Sequence, residues 1–245
     1  MNTLATSPEG DWSPAQDPEP SFSPASAEAQ EQGGDYAFSD KLVLLSGRGS
    51  LEAETISLLL SELLSQHVQN AKRGITFCSP SKDTGCTYIA ANIAVAMAMS
   101  GVRTILVDAN LRDPAIDRYI TPPAPAIGLL QCLNEDEMPL AEAIHHEVLP
   151  NLSVLYAGGT SSEAGLLAST RAGEVFGECL RDYACVIVDT APANRSSDAM
   201  RVANILRYAL IIARKDKSYV NDIKKLASDI RQNKGEILGT FLNAY

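Results

Sequence analysis

The first forty residues contain no lysine or arginine, yet they hold eight acids and five prolines. The other 205 residues carry 22 acids and 20 bases, so most of the net charge of −10 lies in this opening segment. Binding nucleic acid in general requires a basic surface that displaces counterions, and this composition excludes it. Residues 1–40 also lack a hydrophobic period. They cannot bury enough apolar area to offset the entropy of ordering, so they read as a disordered acidic, Pro/Ser-rich tail. The tail has neither the basic start nor the apolar centre of a secretory signal. Nowhere in the chain is there a run approaching the roughly 18–20 apolar residues of a membrane span. The five cysteines (78, 86, 132, 179 and 185) are odd in number and show no C-x-x-C spacing. That excludes a disulfide framework and a cysteine zinc site, and fits a reducing cytoplasm. His67, His145 and His146 show no ligand spacing with cysteines or carboxylates.

From residue 41 to 245 the pattern alternates short apolar runs with helical ones. Ile75–Cys78, Val102–Asp108, Leu152–Tyr156, Cys185–Asp189, Tyr208–Ala213 and Glu236–Asn243 read as strands. Helices are expected at Glu52–Gln66, Thr87–Ser100, Glu163–Arg181 and Tyr219–Asn233. Near-continuous apolar strands separated by helices imply an α/β fold, with a mostly parallel sheet covered on both faces. In such sheets ligands bind at the carboxyl ends of strands.

Three strand ends carry suggestive residues. Ser79–Thr87 (SPSKDTGCT) joins a strand to a helix, where a phosphate loop would sit. Gly85 and Thr87 stand at the last Gly and the Ser/Thr of a G-K-S/T ending, but Cys86 stands at the lysine. Alone, this segment reads as an ordinary turn. The second end is Ile105–Pro114 (ILVDANLRDP). The third is Cys185–Pro192 (CVIVDTAP), followed by Ser197-Asp198-Ala199. An acid ending an apolar strand beside a phosphate loop can hold magnesium. By itself it is more often a cap or loop residue.

Taken together, these segments resemble the cytoplasmic domain of bacterial tyrosine kinases of capsule and exopolysaccharide synthesis. The resemblance rests on Asn92-Ile93-Ala94 after the loop and on Val107-Asp108-Ala109-Asn110-Leu111-Arg112-Asp113-Pro114. It continues through Gly128–Leu133, Asn151–Gly158, Gly165–Ser169, Asp189–Ala199 and Leu238–Asn243. It covers about residues 41–245 and implies a P-loop NTPase-like domain. By resemblance, the catalytic positions are Asp108, Asn110 and Arg112. Nucleotide would lie on Lys82, Asp83, Thr84, Gly85, Cys86, Thr87, Tyr88 and Asn243. Magnesium would lie on Thr87, Asp108 and Asp189.

Four departures fall on chemistry-bearing positions. Cys86 supplies no cation to the phosphates, and Asp83 adds negative charge to the loop. Asn110 replaces the second acid of the D-x-D segment, and an amide neither takes a proton nor binds magnesium as a carboxylate does. The eight tyrosines form no cluster of the kind the family phosphorylates at its C-terminus, and Tyr245 is the last residue. The family's Glu-x-x-Arg-x-x-Arg oligomer signal appears as Glu54, Ser57 and Leu60, without either guanidinium.

The expectation is a catalytically impaired, pseudokinase-like regulator or scaffold that retains ATP or ADP and Mg2+ only if nucleotide still binds. By resemblance, its partner is the cytoplasmic segment of an inner-membrane polysaccharide co-polymerase of the chain-length-determinant type. That partner would recruit a cytoplasmic protein to the inner face of the membrane, with self-association as a further expectation and no nucleic-acid partner. Two alternatives remain. One is an active tyrosine autokinase that uses Lys82 as substitute cation and isolated tyrosines such as Tyr245 as acceptors. The other is a positioning or partition ATPase. The run Arg214-Lys215-Asp216-Lys217 reads as a solvated face, with anionic lipid as the alternative.

Overall fold

The computed structural model describes residues 36–46, 49–134, 138–163 and 165–244. The disorder expected of residues 1–35 and the acceptor role of Tyr245 therefore lie outside the described residues. Nine strands are present among them: β1 (Ala37–Phe38), β2 (Gly74–Cys78), β3 (Thr104–Ala109), β4 (Ile120–Thr121), β5 (His145–Leu149), β6 (Leu152–Leu155), β7 (Cys185–Thr190), β8 (Tyr208–Arg214) and β9 (Glu236–Asn243). The helices are α1 (Leu51–Gln66), α2 (Cys86–Met99), α3 (Leu129–Asn134), α4 (Leu140–Ala143), α5 (Thr170–Asp182), α6 (Asp198–Leu206) and α7 (Val220–Gln232).

Seven strands form one sheet in the order β5-β6-β3-β7-β2-β8-β9. All pairs are parallel except β5 with β6, which is antiparallel at the edge. Every residue of β2, β3 and β7 is buried. These strands are covered on both faces, which explains their unbroken apolar sequences. Alternation sorts the side chains between the two covers. Ile75, Phe77, Leu106 and Ile187 join the core with α1 and α2. Ile105, Val107, Val186 and Val188 join the core with α3 and α5.

Local sequence sets the helix boundaries. Ser50 caps α1 by accepting the Ala53 N–H at 3.2 Å, with Glu52 and Glu54 in the positive first turn. Ser169 caps α5 by accepting the Ala172 N–H at 3.1 Å. That cap starts the helix later than the expected Glu163, and a short 3-10 turn at Leu166–Ala168 precedes it. α2 is apolar all round because it is enclosed all round, between the sheet, α1 and the segment before α1.

That segment takes part in the fold ahead of the expected boundary at residue 41. β1 pairs antiparallel with β4. Buried Asn92 on α2 then ties down the following residues: its Oδ1 accepts the Val43 N–H at 2.9 Å, and its Nδ2 donates to the Lys41 carbonyl at 3.1 Å. Asn92 therefore anchors a strap across α2. No described helix is long and apolar enough to cross a membrane.

Candidate nucleotide site

β3, β7 and β2 are adjacent in the sheet, so their carboxyl ends meet. A cleft opens there between the Ser79–Tyr88 loop, the turn after β3 and the start of the segment after β7. Gly85 ends the loop with φ +84°, the left-handed region that glycine enters freely. A Cβ at this position would also lie 2.4 Å from Asn243 Nδ2. That amide donates to the Thr84 carbonyl at 3.0 Å, so Asn243 buttresses the loop from the end of β9.

Asp83 has φ +59°, unusual for a residue with a side chain, and two partners from the end of β8 and the turn after it hold it. Lys217 Nζ lies 2.7 Å from its carboxylate, and Arg214 donates to its backbone carbonyl at 3.0 Å. The hydrogen bond and charge of Lys217 hold the Asp83 carboxyl below its ordinary range. The basic run expected to be a solvated face is in part a clamp on the loop. Lys82 does not curl over the loop as a free cation. Its Nζ meets Asp113 Oδ2 at 2.6 Å.

Cys86 is the first residue of α2, and its thiol is buried facing the Asp189 carboxylate. Burial first, and then the negative charge of Asp189, pushes the thiol far above its ordinary pKa, so it is neither a thiolate nor a cation. Thr87 donates its hydroxyl to Asp189 Oδ2 at 2.5 Å. The other oxygen, Oδ1, is buried without a hydrogen-bond partner. Asp108 stands opposite Asp189 in the β3–β7 register. Its carboxylate accepts the N–H groups of Asn110 (3.1 Å), Ala115 (3.0 Å) and Ile116 (3.1 Å). Asp108 thus shapes the turn after β3. Burial raises the pKa of both acids, and Asp189 is raised further by the charge of Asp108.

Asn110 lines the cleft and donates to the Asp113 carbonyl at 2.8 Å, while its Oδ1 has no partner. Arg112 turns away to Asp198 at the start of α6, 3.7 Å distant, and does not line the cleft. The structure thus gathers Lys82 to Tyr88 and Asn110 at one cleft, with Asp108, Asp189 and Asn243 supporting it and Arg112 outside. Asp113, Arg118, Tyr119 and Thr190 also line it. Asp113 and Thr190 lie in quoted motifs, and no local pattern marks Arg118 or Tyr119. In α1, Glu54 and Ser57 are exposed and Leu60 is half-buried.

The donors around Asp189 fit a divalent cation. The Thr87 hydroxyl and a carboxylate with one unpartnered oxygen are oxygen ligands of the magnesium type. At the position facing the phosphates, Cys86 offers no positive charge. Among the described residues, no group of three or more His, Cys, Asp or Glu forms a metal cluster.

The fold and loop placement define the class: a P-loop NTPase-like α/β domain, as in the cell-division ATPase MinD of Pyrococcus furiosus (TM-score 0.60, 25% identity, 71% of this chain and 73% of that one). The chimerical protein CapA2B2 superimposes with TM-score 0.73 at 23% identity, over 84% of this chain and 90% of that one. No family model matches the chain. It is 28% identical over 184 residues to the putative tyrosine-protein kinase CapB of Staphylococcus aureus, covering 75% of this chain and 80% of that protein. It is 30% identical over 176 residues to the succinoglycan biosynthesis transport protein ExoP of Rhizobium meliloti, which is 70% of this chain but only 22% of that protein. The chain is a relative of the bacterial tyrosine-protein kinases.

Proposed function

We propose that this chain is a catalytically impaired relative of the bacterial tyrosine kinases, acting as a regulator or scaffold in capsule or exopolysaccharide assembly. The observation that carries this reading is Cys86. It opens α2 where a phosphate-loop lysine would stand, and its thiol is un-ionised and turned to Asp189. Removing one preorganised donor to developing charge typically costs about 3–4 kcal/mol, a rate factor of roughly 10²–10³. The amide of Asn110, where the family has an acid, adds a second loss because it cannot carry a proton from a phenol.

In this reading, nucleotide diphosphate is retained weakly by the loop backbone from Asp83 to Thr87. Thr87 and Asp189 are the residues that would hold magnesium, with Asp108 shaping the turn beside them. The cation would neutralise phosphate oxygens. The working partner is the cytoplasmic segment of a membrane polysaccharide co-polymerase, which would hold the chain at the inner face of the membrane. The relatives support that assignment, since ExoP is named for succinoglycan transport.

The test is tyrosine phosphorylation by the purified chain with ATP, magnesium and the cytoplasmic segment of a membrane polysaccharide co-polymerase. The expected outcome is no transfer above background. Robust transfer that disappears in Asp108→Ala or Asp189→Ala overturns the reading.

A further inference from the structure

Asp113 lines the cleft beside Lys82 and Arg118. Lys82 Nζ, from the loop after β2, lies 2.6 Å from its Oδ2. Arg118 Nη2, from the turn after β3, lies 3.7 Å from its Oδ1. Arg195, from the segment after β7, adds its charge to the same carboxylate. Two cations, from the ends of β2 and β3, thus pair with one negative group, and Arg195 adds its field from further off. One carboxylate meets Lys82 and Arg118 through single ion pairs, whereas a di- or triphosphate presents several anionic oxygens to such a pair.

The carboxylate is also held ready. Asp113 N–H donates to the Asn110 carbonyl at 3.1 Å, and Asn110 Nδ2 returns a bond to the Asp113 carbonyl at 2.8 Å. This turn uses only the backbone of Asp113, so changing its side chain leaves the turn intact. Asp83, the acid of the loop itself, is engaged first by Lys217. Lys82 and Asp113 are 37% and 46% exposed, so the pair opens to solvent and an incoming anion reaches it without unfolding anything.

We propose that Asp113 is a built-in counter-ion of the phosphate cleft: a di- or triphosphate binds by replacing the Asp113 carboxylate on Lys82 and Arg118, and Asp113 thereby sets the affinity of the site. This rests on the reading of the cleft as a degenerate nucleotide site and adds the group that regulates it. It also gives Lys82 a defined role as the cation that is exchanged.

The experiment is titration calorimetry at low salt with ADP–magnesium and, separately, inorganic pyrophosphate. The proteins are the wild type, Asp113→Asn, Asp113→Ser and Asp113→Asn/Lys82→Met, each checked for an unchanged melting transition. Asp113→Asn is expected to tighten both ligands about tenfold, and the double variant to lose that gain. The gain shrinks at high salt, because exposed charges are screened. The serine variant serves if the asparagine variant does not fold. Equal Kd values in folded wild type and Asp113 variants, a gain that survives Lys82→Met, or no binding by any variant overturns the exchange. Those outcomes leave the impaired-kinase reading standing if the wild type transfers no phosphate. Phosphotransfer by the wild type removes that reading, while a tenfold gain in Asp113→Asn still supports the exchange.

Discussion

Asp108 and Asp189 face each other across the β3–β7 register, and both are only 1% exposed. Burial disfavours the charged form of each, and the ionised form of one raises the pKa of the other. Backbone N–H groups partly offset this for Asp108, and the Thr87 hydroxyl does so for Asp189.

A pH-dependent stability follows from that pair. Carboxyls with native pKa values raised above the unfolded value bind more protons in the native state, from the ordinary range near 3.8 up to about 7. Within that window stability falls as pH rises. The favourable contribution is complete at the acid end and lost as pH passes through the native values. Asp189→Asn removes the charge while its amide oxygen still accepts from Thr87. In chelator and without nucleotide, its melting temperature is expected to exceed the wild type's by a few degrees at pH 8 and by little at pH 5. The same increment at both pH values would show that the pair is not strained by its charge.

Restoring a cation at position 86 tests the central deficit directly. Cys86→Lys places an ammonium beside Asp189 at the start of α2. ADP–magnesium affinity is expected to rise at least tenfold, about 1.4 kcal/mol, measured by calorimetry on folded protein. No gain would mean that the loop backbone, clamped through Asp83 by Lys217 and Arg214, cannot cradle phosphates at all.

The central strands were legible because sequence alone shows when a strand is covered on both faces. Ile75–Cys78 and Cys185–Asp189 each grew by a single residue, and Glu236–Asn243 kept its bounds. β1 and β4 are two residues each and exist only by pairing Ala37 with Thr121 and Phe38 with Ile120, far apart in the chain, which no local pattern reveals. β5 pairs antiparallel with β6 around the turn at Pro150-Asn151, where Asn151 adopts φ +66°. That Pro-Asn pair was the available signal. At the site, the motif order located the loop and the acids. It did not show that Lys82 is held by Asp113, 31 residues away, or Asp83 by Lys217, 134 residues away. Such pairings are set by which strand ends adjoin in the sheet.

Asn92 joins the strap before α1 to the buried α2. Asn92→Ala leaves the Val43 N–H and the Lys41 carbonyl without their partners. Each unsatisfied buried group costs about 1–3 kcal/mol when water cannot replace the partner. The expected outcome is faster amide exchange at residues 41–46, with the exchange of β2, β3 and β7 unchanged. Uniform acceleration through the sheet would show that the strap and sheet open as one unit.

Gly85 meets two separate constraints, and substitution can tell them apart. Its φ of +84° costs any other residue backbone strain, and a Cβ there would collide with Asn243 Nδ2. Gly85→Ala is therefore expected to destabilise by about 1–3 kcal/mol in urea unfolding. Asn243→Ala removes both the collision and the bond to the Thr84 carbonyl. Its own cost should be about 1 kcal/mol, typical of one lost hydrogen bond. Because the two residues touch, the double variant should cost at least about 0.5 kcal/mol less than the sum of the singles. Strict additivity would assign the whole Gly85 penalty to its backbone conformation and leave Asn243 with no part in setting the loop's shape.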